Sequence, residues 1–191
     1  MSARTDASIE LRDVLGAPAR QTAFVVRDID ASMRAWADSL DIGPWSAYTL
    51  GPPRLRNMIY RGEQSSFTFR HALVMSGGMQ LELVQPVEGP SIFTDHLDAY
   101  GEGMHHLGFV VPDHAAASAL LLARGFTPLQ SAEGFGLDGS GQFAYFQPPA
   151  GVDTVIELID PPKVRADPES VYPAAVHPAA VHPAAGEQQV S

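Results

Sequence analysis

QTAFVVRDIDASMRAW (residues 21–36) and HLGFVVPDHAAASALL (residues 106–121) are two copies of one pattern. Aligning Gln21 with His106 places Phe24 on Phe109, Val25 on Val110, Val26 on Val111, Asp28 on Asp113 and Ala31 on Ala116. A second pair follows in the same order. QLELVQP (residues 80–86) matches VIELIDP (residues 155–161), with Glu82 on Glu157, Leu83 on Leu158 and Pro86 on Pro161. The chain therefore holds one module from about Gln21 to Pro86 and a second from His105 to Pro161.

Each copy opens with a β-rich run and passes into a helix. Phe24–Val26 reads as strand, Asp28 as an N-cap and Ile29–Leu40 as helix, with Met33, Trp36, Ala37 and Leu40 on one face. In the second copy Asp113 caps a helix over Ala115–Arg124 and Gly125 closes it. Strand-like runs follow: Trp45–Leu50, Phe67–Met75 and Met79–Val84, then Phe126–Gln130, Gln142–Gln147 and Thr154–Ile159. The topology is βαβββ twice, an α+β fold. Ser91–Tyr100 reads as a short helix between the copies. The expected division is an N-terminal extension (1–19), a first module (20–90), a linker helix (91–104), a second module (105–162) and a disordered Pro/Ala/His-rich tail (163–191). The run PAAVHPAAVHPAAG (173–186) holds His177 and His182; it has too much Pro for a helix and no large apolar groups for a core.

Composition narrows the function classes. The 191 residues carry a formal charge of −10, which disfavours a general nucleic-acid binder. The absence of Cys excludes disulfide scaffolds, thiolate zinc sites and Cys nucleophiles. No apolar run is long enough to span a membrane, and the N-terminus has no signal-like apolar region, so a cytoplasmic protein is expected.

The chemistry lies in the repeat. Strand alternation puts Glu82 on the face of Gln80 and Val84, and Glu157 on the face of Val155 and Ile159. Both carboxylates sit among apolar neighbours, where an uncompensated charge costs several kcal/mol, roughly. If the two copies pack about a pseudo-twofold axis, equivalent positions converge. Gln21, Glu82, His106 and Glu157 then form one imidazole, one amide oxygen and two carboxylates. That donor set suits Zn²⁺, Mn²⁺, Co²⁺, Ni²⁺ or, less well, Fe²⁺. Alternation puts His105 on the opposite face from His106. Trp45, Phe67, Phe69, Phe143 and Tyr145 are candidates for an apolar substrate pocket. Arg54, Arg56, Arg61 and Arg70 form a local cationic cluster that suits phosphates or carboxylates. GFGLDGSG (134–141) precedes a strand and reads as a hairpin turn, not a phosphate loop.

Over about Ala19 to Asp160 the chain resembles the vicinal oxygen chelate superfamily. This includes glyoxalase I, methylmalonyl-CoA epimerase, extradiol dioxygenases, fosfomycin-resistance enzymes and bleomycin-binding proteins. LELVQPVEGPSIFTDHLDAYGEGMHHLGFVV (81–111) is similar to the epimerase pattern of a strand ending E-L-x-x-P, a Ser-Ile helix start and G-x-G-x-H-H-x-x-F. GPW (43–45) resembles a glyoxalase-like subgroup. The resemblance implies paired βαβββ modules forming a half-open barrel around a metal site. It implies Gln21, Glu82, His106 and Glu157 as ligands, the set of animal-type glyoxalase I, although epimerases carry His where this chain has Gln21. It implies Glu157 as ligand and base, and Glu63 as a second base. Substrate contacts fall to Trp45, Arg56, Arg61, Phe69, Phe143 and Tyr145.

The expected function is a metal-dependent isomerase, epimerase or lyase working by 1,2-proton transfer through an enediolate. Its substrate would be a small acyl thioester or an oxo/hydroxy acid, with the protein a homodimer. The alternatives are an Fe(II) extradiol-type dioxygenase and a metal-free small-molecule-binding protein of the resistance type.

Overall fold

The computed structural model describes residues 10–16 and 18–174. His177 and His182, with the PAAVH run from residue 175 on, lie outside the described residues. A short helix, α1 (Leu11–Leu15), precedes the first copy. That copy comprises β1 (Gln21–Val25), α2 (Ile29–Leu40), β2 (Trp45–Leu50), a hairpin of β3 (Arg56–Tyr60) and β4 (Glu63–Gln64), β5 (Thr68–Ser76) and β6 (Met79–Glu88). α3 (Ile92–Tyr100) follows. The second copy comprises β7 (Gly103–Val110), α4 (His114–Ala123), β8 (Thr127–Glu133), β9 (Gln142–Gln147) and β10 (Val155–Asp160), and β11 (Ser170–Tyr172) is the last described strand.

The repeat is visible at the level of single hydrogen bonds. Asp28 at the start of α2 accepts from the Ala31 N–H at 2.9 Å, and Asp113 at the start of α4 accepts from the Ala116 N–H at 2.9 Å. The two caps have nearly the same backbone, φ/ψ −135/101 and −135/94. Each such cap stabilises its helix by about 1 kcal/mol. Ser91 caps α3 in the same way, accepting from Thr94 N–H at 3.1 Å.

The strands form one sheet in the order β11-β2-β5-β6-β1-β7-β10-β9-β8-β3-β4. At its centre β1 and β7 run antiparallel within the one chain, and each has a parallel partner, β6 or β10. The sheet is curled. Phe69 on β5 and Phe143 on β9 are five strand steps apart, about 24 Å in a flat sheet, yet their ring centroids are 6.0 Å apart. The result is the expected half-open barrel, a cup.

Burial follows from the curl. On the convex side α2 packs Ile29 and Met33 against Trp45, Ala47, Ala72, Val74 and Leu83. α4 packs Ala117 and Leu121 against Phe109, Val111, Phe146, Ile156 and Leu158. Inside, α3 brings Ile92, Phe93 and Leu97 against Ala23, Val25, Phe69, Val84 and Tyr145.

Two features depart from the sequence reading. The β3–β4 hairpin belongs to the first copy but pairs with β8 of the second. Residues 163–174, expected to belong to a disordered tail, instead span from β10 to the far edge of the sheet. Its Lys163 N–H donates to Ser140 Oγ at 2.8 Å, and Val164 O accepts from Leu137 N–H at 2.9 Å. Glu169 accepts from Thr49 N–H and Oγ1–H at 2.9 and 2.7 Å, and β11 pairs with β2. Three strand residues are too few to leave a hydropathy signal; the segment's partners are distant in sequence. No described helix is long and apolar enough to cross a membrane.

The layered packing makes Leu83→Ala costly, because Leu83 is fully buried between β6 and α2, whereas Leu122 is half exposed on α4. Chemical denaturation should give a loss of about 3 kcal/mol for Leu83→Ala and within about 0.5 kcal/mol of the parent for Leu122→Ala. Equal losses would contradict this layering.

Candidate metal centre

Four strands at the centre of the sheet present two rows of side chains to the cup. Register places Ala23 of β1 between Glu82 of β6 and His106 of β7. Two residues along, it places Gly108 of β7 between Gln21 of β1 and Glu157 of β10. A large side chain and a small one thus alternate, and the small ones leave the space into which the large ones converge. A Cβ added at Gly108 would lie 2.7 Å from Gln21 Oε1 and 2.9 Å from both Gln21 Cβ and Ile159 Cδ1.

The converging groups are buried and incomplete. Gln21 and Glu157 are 5% exposed, Glu82 5% and His106 0%. One ligand-type atom each from Glu82, His106 and Glu157 lies within 4.8 Å of the others. His106 Nε2 is 3.2 Å from Glu82 Oε2 and 3.2 Å from Glu157 Oε2, but these three atoms lack hydrogen-bonding geometry. Gln21 Oε1 is a fourth buried atom without a partner. Three oxygens and one nitrogen with two negative charges match a divalent cation in number, type and charge.

Other contacts aim these atoms. Gln21 Nε2 donates to Gln80 Oε1 at 3.0 Å, which directs the amide oxygen to the cup. His71 Nδ1 lies 2.7 Å from Glu82 Oε1. Tyr145 of β9 stands beside Glu157 of β10 in register, where its phenol opposes the rise in the Glu157 pKa. His105 Nδ1 lies 2.9 Å from His106 Nδ1.

The electrostatics follow from this crowding. Burial opposes ionisation of Glu82, but His106 and His71 outweigh it and lower its pKa to about 2. Burial also opposes the His106 imidazolium, yet Glu157 and Glu82 raise its pKa to about 9. Glu157 is pushed up by burial, opposed by His106 and reinforced by the like charge of Glu82. Burial, then Glu157 and Glu82, hold the Tyr145 phenol well above its ordinary value. Burial, His106 and His96 hold His105 well below the usual imidazole range.

Above the four donors is a cavity of about 140 Å³ walled by Tyr48, Leu50, Phe69, Phe143 and Tyr145. Phe69, Phe143 and Tyr145 stand where the sequence reading placed them; Phe67 lies in the core beneath and does not line the cavity. Trp45 does not. It is fully buried on the helix side of β2, edge-on to Trp36 at 5.9 Å, with Nε1–H donating to Ile42 O. Alternation along β2 turns Tyr48 and Leu50 to the cup in its place.

Glu63 is exposed on β4 and does not line the cavity. The arginine cluster also separates. Arg70 ties β5 to Asp30 of α2 at 2.8 and 3.0 Å, Arg61 pairs with Asp95 at 2.7 Å, and Arg56 donates to Gly139 O at 2.9 Å. Arg54 alone of the four lines the cavity, joined by Arg20 and Arg165. The sequence reading missed His71, which has no like residue at the equivalent position of the second copy. It also put His105 on the wrong face. Ala23 pairs with His106 and Phe24 with Met104, so His105 is an extra residue in β7, and this bulge turns it to the inside.

The family model described as the Glyoxalase/Bleomycin resistance protein/Dioxygenase superfamily matches residues 20–146. Among solved structures, methylmalonyl-CoA epimerase from Mycobacterium tuberculosis aligns at TM-score 0.51 and 21% identity, covering 74% of this chain and 85% of the epimerase. A variant of the Streptomyces coelicolor methylmalonyl-CoA epimerase in complex with 2-nitronate-propionyl-CoA aligns at 0.50 and 18%, covering 78% and 97%. A hypothetical protein from Bacillus halodurans aligns at 0.50 and 17%, covering 78% and 98%. No curated protein sequence matches the chain.

Two expectations follow from the geometry. His106, with its pKa raised to about 9, holds a proton at neutral pH that an incoming ion must displace. Zn²⁺ affinity should therefore rise about tenfold per pH unit between pH 7 and 9 and level off above, with about one proton released per ion. Calorimetry in buffers of different ionisation heat measures this, and release of no proton would exclude His106 as a ligand. Gly108→Ala should displace Gln21 and weaken ion binding by about 10-fold or more; unchanged affinity would remove Gln21 from the site.

Proposed function

This chain belongs to the glyoxalase/bleomycin resistance protein/dioxygenase superfamily, and from that premise we propose that it is a divalent-metal-dependent isomerase or epimerase that transfers a proton at or between adjacent carbons of a small acyl thioester or oxo/hydroxy acid. The observation that carries this reading is the set of four buried, partnerless donor atoms on Gln21, Glu82, His106 and Glu157 at the base of an apolar cavity. These four residues would hold the ion. When bound, the ion supplies a Lewis acid for negative charge that develops on substrate oxygens.

The remaining steps belong to side chains. Glu157 serves as the base, since burial raises its proton affinity. Tyr145, beside Glu157 in register, keeps its proton and so adds no charge next to the base. His71 on β5 and Glu157 on β10, four strands apart in the sheet, both line the cavity. His71 takes the place of Glu63 in this reading, returning a proton from β5. The aromatic walls exclude water from the reacting carbon. Arg20, Arg54 and Arg165 line the cavity without an ion pair among the described residues, which favours a substrate with an anionic group. The neighbour bound to 2-nitronate-propionyl-CoA makes acyl thioesters the first class to test.

Solvent exchange tests the proposal. Protein loaded in turn with Zn²⁺, Co²⁺, Ni²⁺ or Mn²⁺ should exchange the α-proton of methylmalonyl-CoA, or of a 2-oxo or 2-hydroxy acid, in deuterated water. Glu157→Gln should slow exchange by about 100-fold or more. Undiminished exchange in that variant would refute Glu157 as the base.

A further inference from the structure

We infer that His105 is a positioning residue for His106: its Nδ1 accepts the Nδ1–H of His106 and so leaves His106 Nε2 as the atom offered to an ion held with Glu82 and Glu157. This rests on the metal-centre reading above and deepens it.

The inference is carried by the bulge in β7. Regular alternation would put His105 on the helix side of the sheet, away from His106. The extra residue in β7 turns both rings to the same side, where His105 is 6% exposed and its Nδ1 is 2.9 Å from His106 Nδ1. Its neighbours lock the ring. Phe93 meets it edge-on at 5.4 Å, His96 at 5.1 Å and Tyr145 at 6.4 Å.

A hydrogen bond between two ring nitrogens has one donor and one acceptor. An imidazole that offers a lone pair at Nε2 carries its hydrogen at Nδ1. His106 Nε2 lies between the two carboxylates, and with that atom given to the ion His106 Nδ1–H is the donor and His105 Nδ1 the acceptor. The first copy has its own version of this support. Gln80 Oε1 accepts from Gln21 Nε2 and turns the Gln21 oxygen inward. An aspartate or backbone carbonyl commonly fills this role for a ligand histidine; here the neighbour in sequence fills it, through one inserted residue.

Zn²⁺ affinity of the full chain, measured by competition with a chromophoric chelator, provides the test. His105→Phe keeps a ring against Phe93 but removes the acceptor, and His105→Leu removes it with a different shape. Both should weaken binding by about 10- to 100-fold. His105→Gln, which restores an acceptor oxygen, should recover most of that loss. A role limited to packing would not produce this rescue. The histidine ¹H–¹⁵N spectrum of the zinc-loaded parent gives a check independent of any variant. It should show hydrogen on Nδ1 of His106 and none on Nδ1 of His105. Parent-like affinity in His105→Phe and His105→Leu, or a hydrogen on His105 Nδ1, would overturn the positioning role and leave the metal centre standing. A parent that binds no Zn²⁺, Co²⁺, Ni²⁺ or Mn²⁺ would overturn the metal centre itself.

Discussion

Two carboxylates, Glu82 and Glu157, lie at the base of a cup whose walls are mostly apolar, and the surrounding arrangement answers the cost of putting them there. Removing a charged carboxylate from water costs several kcal/mol, roughly, unless opposite charge and hydrogen bonds replace the solvent. His106 stands between the two, and without an ion its proton supplies the positive charge. One proton leaves the pair a unit negative; a divalent ion neutralises it fully. The site is thus built with a charge deficit that a divalent ion fits better than any side chain present.

The neighbours of the two carboxylates break the symmetry of the repeat. In register, Leu73 of β5 stands beside Glu82 as Tyr145 of β9 stands beside Glu157, and His71 corresponds to Phe143. Glu82 therefore has an imidazole partner and Glu157 a phenol. The difference shows in their proton affinities, one low and one raised. Equivalent carboxylates thus differ in proton affinity, and in the proposed function Glu82 is the fixed anion and Glu157 the proton acceptor.

The repeat carried most of what was legible in the sequence. Two matched strand–cap–helix stretches implied two modules, and strand parity placed Glu82 and Glu157 inward. Convergence about the axis brought in Gln21 and His106. What escaped was whatever breaks the repeat or the alternation. His71 has no counterpart to mark it. A single extra residue in β7 reverses the face of His105, and parity counting cannot see an insertion that leaves composition unchanged. Trp45 and the arginines were misplaced for a different reason. Strand spacing offers two faces, and only packing against α2, Asp30 or Asp95 decides which groups remain for a ligand.

The exchanged edge strands have a consequence for the folding unit. The β3–β4 hairpin of the first copy completes the second copy's side of the sheet at β8, and β11, which follows the second copy, completes the first copy's side at β2. Each half lends the other an edge, and β1 pairs with β7 across the middle. A repeat that is separable in sequence is thus interlaced in the sheet. Either half alone would expose an unpaired central strand and lack one outer strand. The interlacing makes the whole sheet one cooperative unit, in which loosening either rim is felt by the strand pair that carries the site.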